Sequence, residues 1–133
     1  MLYSRRTVLT GLGAALALPA IARAQAFPSR PITIVASGAA GGPTDTITRI
    51  VAEAMGPHLS QPLVVESISG STVAPLRVAN ARPDGYTLLV NNIGMAASAT
   101  LFRRLPYDVL TSFAPLGIVS DAAMTVISRP DFP

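Results

Sequence analysis

The 133-residue chain contains no cysteine, no tryptophan and no lysine. Without cysteine there is no disulfide framework, no thiolate nucleophile and no thiolate metal site. Without lysine a P-loop cannot be completed, because that motif uses the amine to reach the phosphates. The single histidine, His58, stands beyond a Gly56-Pro57 break and reads as a surface or satisfied side chain. No Gly-x-Ser-x-Gly elbow and no paired carboxylates at a useful spacing are present, so no catalytic set is legible and the chain does not read as an enzyme. Nothing in the residue types calls for a cofactor or a metal.

Charge is also scarce where it would matter for nucleic acid. The formal net charge is +3, and Arg5, Arg6 and Arg23 supply the whole excess. From Phe27 onward seven arginines face seven acidic residues. With no basic stripe there is nothing to release counterions from a phosphate backbone, and nucleic acid is excluded as a partner.

What is present begins with a leader. "SRRTVLTGLGAALALPAIARAQA" opens on paired arginines, runs through an apolar stretch from Val8 to Ala22 and ends in small residues suited to signal peptidase. An apolar run of about 15 residues broken by Gly and Pro falls short of the roughly 20 that span a bilayer, so cleavage is expected and not anchoring. Residues 1–26 are read as a signal peptide, with the mature chain starting at Phe27 and exported to the periplasm. Ser4-Arg5-Arg6 followed by Val8-Leu9 also resembles a twin-arginine export signal, and both export routes stay open.

The mature part, residues 27–133, reads as alternating strands and helices. "PITIVAS" is rich in β-branched residues and reads as a buried strand. Ile47, Ile50, Val51, Ala54 and Met55 recur at helical spacing and give one apolar face, with Pro43 in the first turn and Arg49 and Glu53 four apart on the outer face. A second strand is expected over Leu63 to Glu66, a weaker helix over about Thr72 to Asn80, and a third strand, buried on both faces, over Tyr86 to Val90 after a Pro-Asp-Gly turn. "FAPLGIVS" and "MTVISRP" read as a fourth and a fifth strand. This rhythm is that of an α/β fold with a parallel sheet, in which ligands sit beyond the carboxyl ends of the strands. No amphipathic helix follows the last strand, and the chain is expected to be an N-terminal fragment.

The stretch "SGAAGGPTDT", Ser37 to Thr46, therefore falls between the end of the first strand and the start of the first helix. A helix start offers unpaired N–H groups and partial positive charge to a phosphate or carboxylate, and glycine lets a ligand approach the backbone. The same glycines equally suit a tight turn, and both readings stand at this point. Gly38, Gly41 and Gly42 do not form the Rossmann Gly-x-Gly-x-x-Gly, which excludes a dinucleotide. A second candidate set follows the third strand, where Asn91, Asn92, Gly94 and Ser98 can present amides and a hydroxyl to the same crevice. Asp45 is open to two roles, capping the loop amides or meeting a ligand ammonium. Arg103 and Arg104 read as a solvated pair.

The segments "PITIVASGAAGGPTDTITRIVAEAM", "QPLVVES", "ARPDGYTLLVNNIGMA" and "LFRRLPYDVLTSFAPLGIV" together resemble, in order and spacing, the substrate-binding receptors of tripartite tricarboxylate transporters, also called Bug-type receptors. The resemblance covers essentially all of the mature chain. It departs in two places: "VASGAAGG" lacks the Pro-Phe that usually ends the first strand, and "SISGSTVAPL" lacks a second Gly-rich cluster. The resemblance implies the first lobe, incomplete here, of a two-lobed periplasmic binding protein that holds a small carboxylate between its lobes and delivers it to the integral membrane permease subunits of a transporter. It implies a monomer without cofactor. It further implies ligand contacts from Ala39, Ala40, Gly41, Gly42, Thr44 and Asp45, and from Gly94, Met95 and Ala96 at the border of the cleft. Two other functions fit the same residues. One is an exported α/β enzyme on an anionic substrate, with its catalytic residues elsewhere in a longer chain; the other is a receptor that presents its ligand to a sensor.

Overall fold

The computed structural model describes residues 26–123, 125 and 127–131. The expected leader, apart from Ala26, lies outside the described residues. Three strands, β1 (Ile32–Ser37), β2 (Leu63–Ile68) and β3 (Thr87–Val90), form one parallel sheet in the order β2-β1-β3. Helix α1 (Pro43–Met55) joins β1 to β2, with a 3-10 turn at Gly56–His58, and helix α2 (Val73–Ala79) joins β2 to β3. Helix α3 (Gly94–Leu101) follows β3.

The central strand explains the core. β1 pairs with β2 from Ile32 against Leu63 to Ser37 against Ile68, and with β3 from Thr33 against Thr87 to Ala36 against Val90. The chain moves one way from β1 to β2 and returns past β1 to β3, so right-handed crossovers set α1 and α2 on opposite faces of the sheet. Both faces of β1 are covered accordingly: Ile34, Val35 and Ala36 are essentially unexposed, and Ala74 and Pro75 of α2 are buried with them. The continuous apolar run of β1 is what burial on two faces requires.

Several expectations are corrected. β3 is half-buried along its length, because it lies at the edge of the sheet instead of between two strands. Helix α1 turns a different face inward from the one its apolar spacing indicates: Asp45 and Thr48 are buried, whereas Ile50 is 61% exposed and Met55 is also exposed. The cause is polar: Asp45 accepts from the Ser67 hydroxyl of β2, which turns its side of the helix toward the sheet, while Thr48 satisfies its own hydroxyl on the Thr44 carbonyl and can be buried there. Arg49 and Glu53 are both exposed, as an outer face requires, and Arg49 pairs with Asp45, Nε to Oδ2 at 3.0 Å. The fourth and fifth strands are not formed among the described residues. The segment from Phe113 to Ala123 carries no ladder, and Leu116, Ile118 and Ile127 stand exposed. A strand is completed by the edge it pairs with, and none of these residues pairs with the outer edge of β2 or β3. Met124 and Val126, within the expected fifth strand, lie outside the described residues.

The turn around "LPYD" is built from its own polar groups. Asp108 Oδ1 accepts from the N–H of Leu110 at 2.7 Å and of Thr111 at 3.0 Å, and these bonds hold its carboxyl below the usual range. Tyr107 is buried beside it, edge-on to Phe113.

Candidate functional site

Sheets of this kind bind at the topological switch point, where neighbouring strands send their connections to opposite sides. Here that point lies between β1 and β3. A cavity of about 150 Å³ opens there, lined by Ser37 and Gly38 from the end of β1, Gly70 and Ser71 from the turn after β2, and Asn91, Asn92 and Gly94 after β3. Three loops from separate stretches of sequence thus converge at one end of the sheet. None of the lining residues is charged, and every loop brings hydrogen-bond donors. A wider depression of about 640 Å³, lined in part by Phe102, Arg103 and Tyr107, lies away from the strand ends.

The first loop is shaped by one turn and one side chain. The Gly42 N–H donates to Ala39 O at 3.0 Å, and Gly41, third in that turn, has φ +77°, the value a type II turn requires there. Gly42 then caps α1 in an extended conformation with Pro43 behind it. Asp45, in the first turn of α1, reaches backward in the manner of a capping box and accepts the Gly41 N–H at 2.8 Å. Its Oδ2 also accepts from Arg49 Nε at 3.0 Å, and its Oδ1 accepts a short bond from the Ser67 hydroxyl of β2. Asp45 is 3% exposed. The Arg49 bond first, then those from Ser67 and Gly41, hold its carboxyl far below the usual carboxylate range.

Of the amides expected in this loop, those of Gly41 and Gly42 are therefore engaged by the protein itself, and Pro43 has none. The Ala39, Ala40 and Thr44 N–H groups have no acceptor among the described residues. The cause is local: closing the turn uses one donor, and anchoring it to α1 uses another.

After β3 the pattern is similar. The Asn92 side-chain oxygen accepts the Gly94 N–H at 2.8 Å, and the Asn92 carbonyl accepts the Met95 N–H at 3.0 Å. Gly94 lines the cavity; Met95 and Ala96 continue α3 and do not. The Ala96 N–H has no acceptor among the described residues. Asn92 Nδ2 lies 3.4 Å from Thr44 Oγ1, a contact that joins the first and third loops across the switch point. Asn91 Oδ1 accepts from the Asn92 N–H at 2.7 Å, which fixes the orientation of its amide and leaves Nδ2 as the free end. That Nδ2 is buried without a partner. Ser98 is turned inward to Met95 O at 2.6 Å and takes no part.

Ser37, Gly38, Gly70 and Ser71 were not among the residues expected to bind. The turn after β2 has no Gly-rich cluster to mark it, and only its place at the carboxyl end of a parallel strand would have found it. His58 is exposed and belongs to the turn leading into β2, at the opposite end of the sheet. Among the described residues there is no group of three metal-ligating side chains, and no helix is long and apolar enough to cross a membrane.

Comparison with known proteins agrees with the parallel-sheet α/β fold. Residues 47–133 match the model of a family described as the tripartite tricarboxylate transporter family receptor. A UPF0065 protein of Agrobacterium vitis, from the TAR-I ttuE-ttuC' intergenic region, is 41% identical over 117 residues, which are 86% of this chain and 34% of that protein. Protein BugT of Bordetella pertussis is 31% identical over 111 residues, 80% of this chain and 34% of its own length. Among solved structures, MatC of Rhodopseudomonas palustris with bound malate superposes with a TM-score of 0.63 at 41% identity, over 67% of this chain and 31% of that one. An R. palustris protein with adipate gives 0.60 at 33% identity, over 64% of this chain and 29% of that one. The chain spans about a third of the length of these relatives.

Proposed function

Since the chain belongs to the family of tripartite tricarboxylate transporter receptors, we propose that it forms part of a periplasmic solute receptor that captures a small carboxylate and delivers it to membrane permease subunits, without catalysing a reaction. Residues 1–26 serve in this reading as the export signal, and residues 27–133 are the N-terminal part of the receptor and belong mostly to its first lobe. The observation that carries the reading is the cavity at the switch point, where three loops offer uncharged donors and Asn91 Nδ2 stands buried without an acceptor. An unpaired buried amide costs about 1–3 kcal/mol, and a ligand oxygen removes that cost. The Ala39, Ala40 and Thr44 amides add donors, and the start of α1 adds partial positive charge. Solved relatives that carry malate and adipate support the same ligand class.

Ala39, Ala40 and Thr44 are assigned direct backbone contacts in this proposal, with Gly94 at the cavity wall and Ala96 at its border. Gly41, Gly42 and Met95 contribute shape, because their own N–H groups are already bonded. Hydrogen bonds to charged groups contribute about 1.5–3 kcal/mol each before the entropic cost of association, so a single lobe is expected to bind on the order of millimolar. Titration of the 15N-labelled chain with malate and adipate tests this. Amide shifts confined to Ala39, Ala40, Thr44 and the Asn91 side chain are expected, with none from the corresponding diamides. A folded chain whose spectrum ignores every carboxylate, or answers the diamides equally, would refute the reading.

A further inference from the structure

Asp45 poses a problem for an anion receptor, because a carboxylate sits within one helical turn of the donors that are meant to hold another carboxylate. Its surroundings resolve the problem. Oδ2 accepts from Gly41 N–H and Arg49 Nε, Oδ1 accepts from Ser67, and only a few percent of the side chain is exposed. Three of its acceptor sites are thus taken, the Arg49 guanidinium offsets its charge, and a ligand ammonium has almost no surface to approach. What the side chain does reach is structural: the turn before α1, the second turn of α1 itself, and β2 at the residue that pairs with Ala36 of β1.

We infer that Asp45 is a positioning residue, which never touches the ligand but holds the Ala39–Gly42 turn against α1 and β2, and so keeps the Ala39, Ala40 and Thr44 amides, whose residues stand next to but not among those lining the cavity, in the places the proposed contacts need. The inference rests on the carboxylate-receptor reading above. The turn has one backbone bond of its own, Gly42 N–H to Ala39 O. Its Gly41 corner meets no other atom within 4 Å of where a side chain would start. Backbone bonds anchor the two ends of the loop, Gly38 N–H to Ile68 O at 3.0 Å and Thr46 N–H to Gly42 O at 2.9 Å, and Asp45 is the side-chain tether of the Gly41 corner between them.

Two substitutions separate holding from touching. In Asp45→Asn the amide can turn so that its oxygen accepts from Gly41 and Arg49 while its nitrogen donates to the Ser67 hydroxyl, which keeps every tie and removes only the charge. In Asp45→Ala all three ties are lost. The labelled chain and each variant are titrated with succinate and with aspartate, and hydrogen exchange of the Gly41 amide is followed in parallel. Positioning predicts that Asp45→Asn stays within about twofold of the parent for both ligands, and that Asp45→Ala weakens both alike, by about five- to tenfold, with faster Gly41 exchange. A loss of aspartate alone in either variant would show direct contact with the ammonium and overturn the inference. So would Asp45→Ala with Gly41 exchange and succinate response unchanged. Should Asp45→Ala fail to fold, Ser67→Ala, which cuts only the tie to β2, must weaken both ligands in parallel and speed Gly41 exchange, or the inference falls. If the parent chain answers no carboxylate, the receptor reading fails, and positioning is then decided by Gly41 exchange and by the Ala39, Ala40 and Thr44 resonances of the variants.

Discussion

Gly41 and Gly42 resist substitution for different reasons. At Gly41 a side chain would meet open space, yet φ +77° opposes it, so Gly41→Ala is expected to lower stability by about 1–2 kcal/mol in urea unfolding. At Gly42 the added carbon would stand 3.0 Å from Ala39 O and push on the bond that closes the turn. Asp45 adds a pH dependence whose sign is fixed by its depressed pKa. The folded state holds the ionised form, so this contribution is complete above the ordinary carboxylate value near 3.8 and fades as pH falls below it. Asp108, depressed by the Leu110 and Thr111 amides, adds to the same acid limb. Thermal unfolding of the parent should therefore fall away below about pH 4 more steeply than that of Asp45→Asn. The sequence left Asp45 with two roles because one of its partners, Ser67, is 22 residues distant, and only the fold brings it near. The Gly-rich loop was legible as a helix start, but which of its amides remain free depended on two local bonds, Gly42 N–H to Ala39 O and Gly41 N–H to Asp45, that residue types alone do not fix.

Among elements, β1 carries the fold. It is the central strand, and Ile34 is 1% exposed, paired with Val65 of β2 on one side and Leu88 of β3 on the other. Ile34→Ala is expected to cost about 2–5 kcal/mol, a large share of the stability of a small domain, and circular dichroism in urea would register it as a midpoint shift with little change in slope. The three strands and two crossover helices were legible in the sequence because each carries its own signal: β-branched runs, Pro43 at a helix start, and the Pro83-Asp84-Gly85 turn. The inward face of α1 was not, because two buried polar side chains outweighed the apolar spacing of Ile50 and Met55. Among the described residues, those after Phe113 have strand composition without a strand, since composition supplies the tendency and pairing with a neighbouring edge supplies the bonds.

At the scale of the whole molecule, the two ends of the sheet differ in chemistry. The carboxyl end gathers the donor-lined cavity. The amino end carries a clasp in which Arg30 lies 3.9 Å over the Tyr86 ring and 2.9 Å from Asp84, Phe27 packs edge-on to the same ring, and the Ser29 N–H donates to Tyr86 Oη at 2.9 Å. Arg30→Ala removes a half-exposed ion pair and a cation–π contact, so about 1 kcal/mol or less is expected from urea unfolding. The carboxylate-induced shifts at Ala39 and Thr44 should not change, and a change there would show that the two ends communicate. The clasp also decides where foreign material can hang. Six residues of β1 at about 3.3 Å each separate Pro31 from Ser37 by roughly 20 Å, so a tag or fluorophore fused ahead of Phe27 departs from the far side of the lobe. Such a handle can tether the protein to a sensor surface while the mouth of the cleft faces open solution.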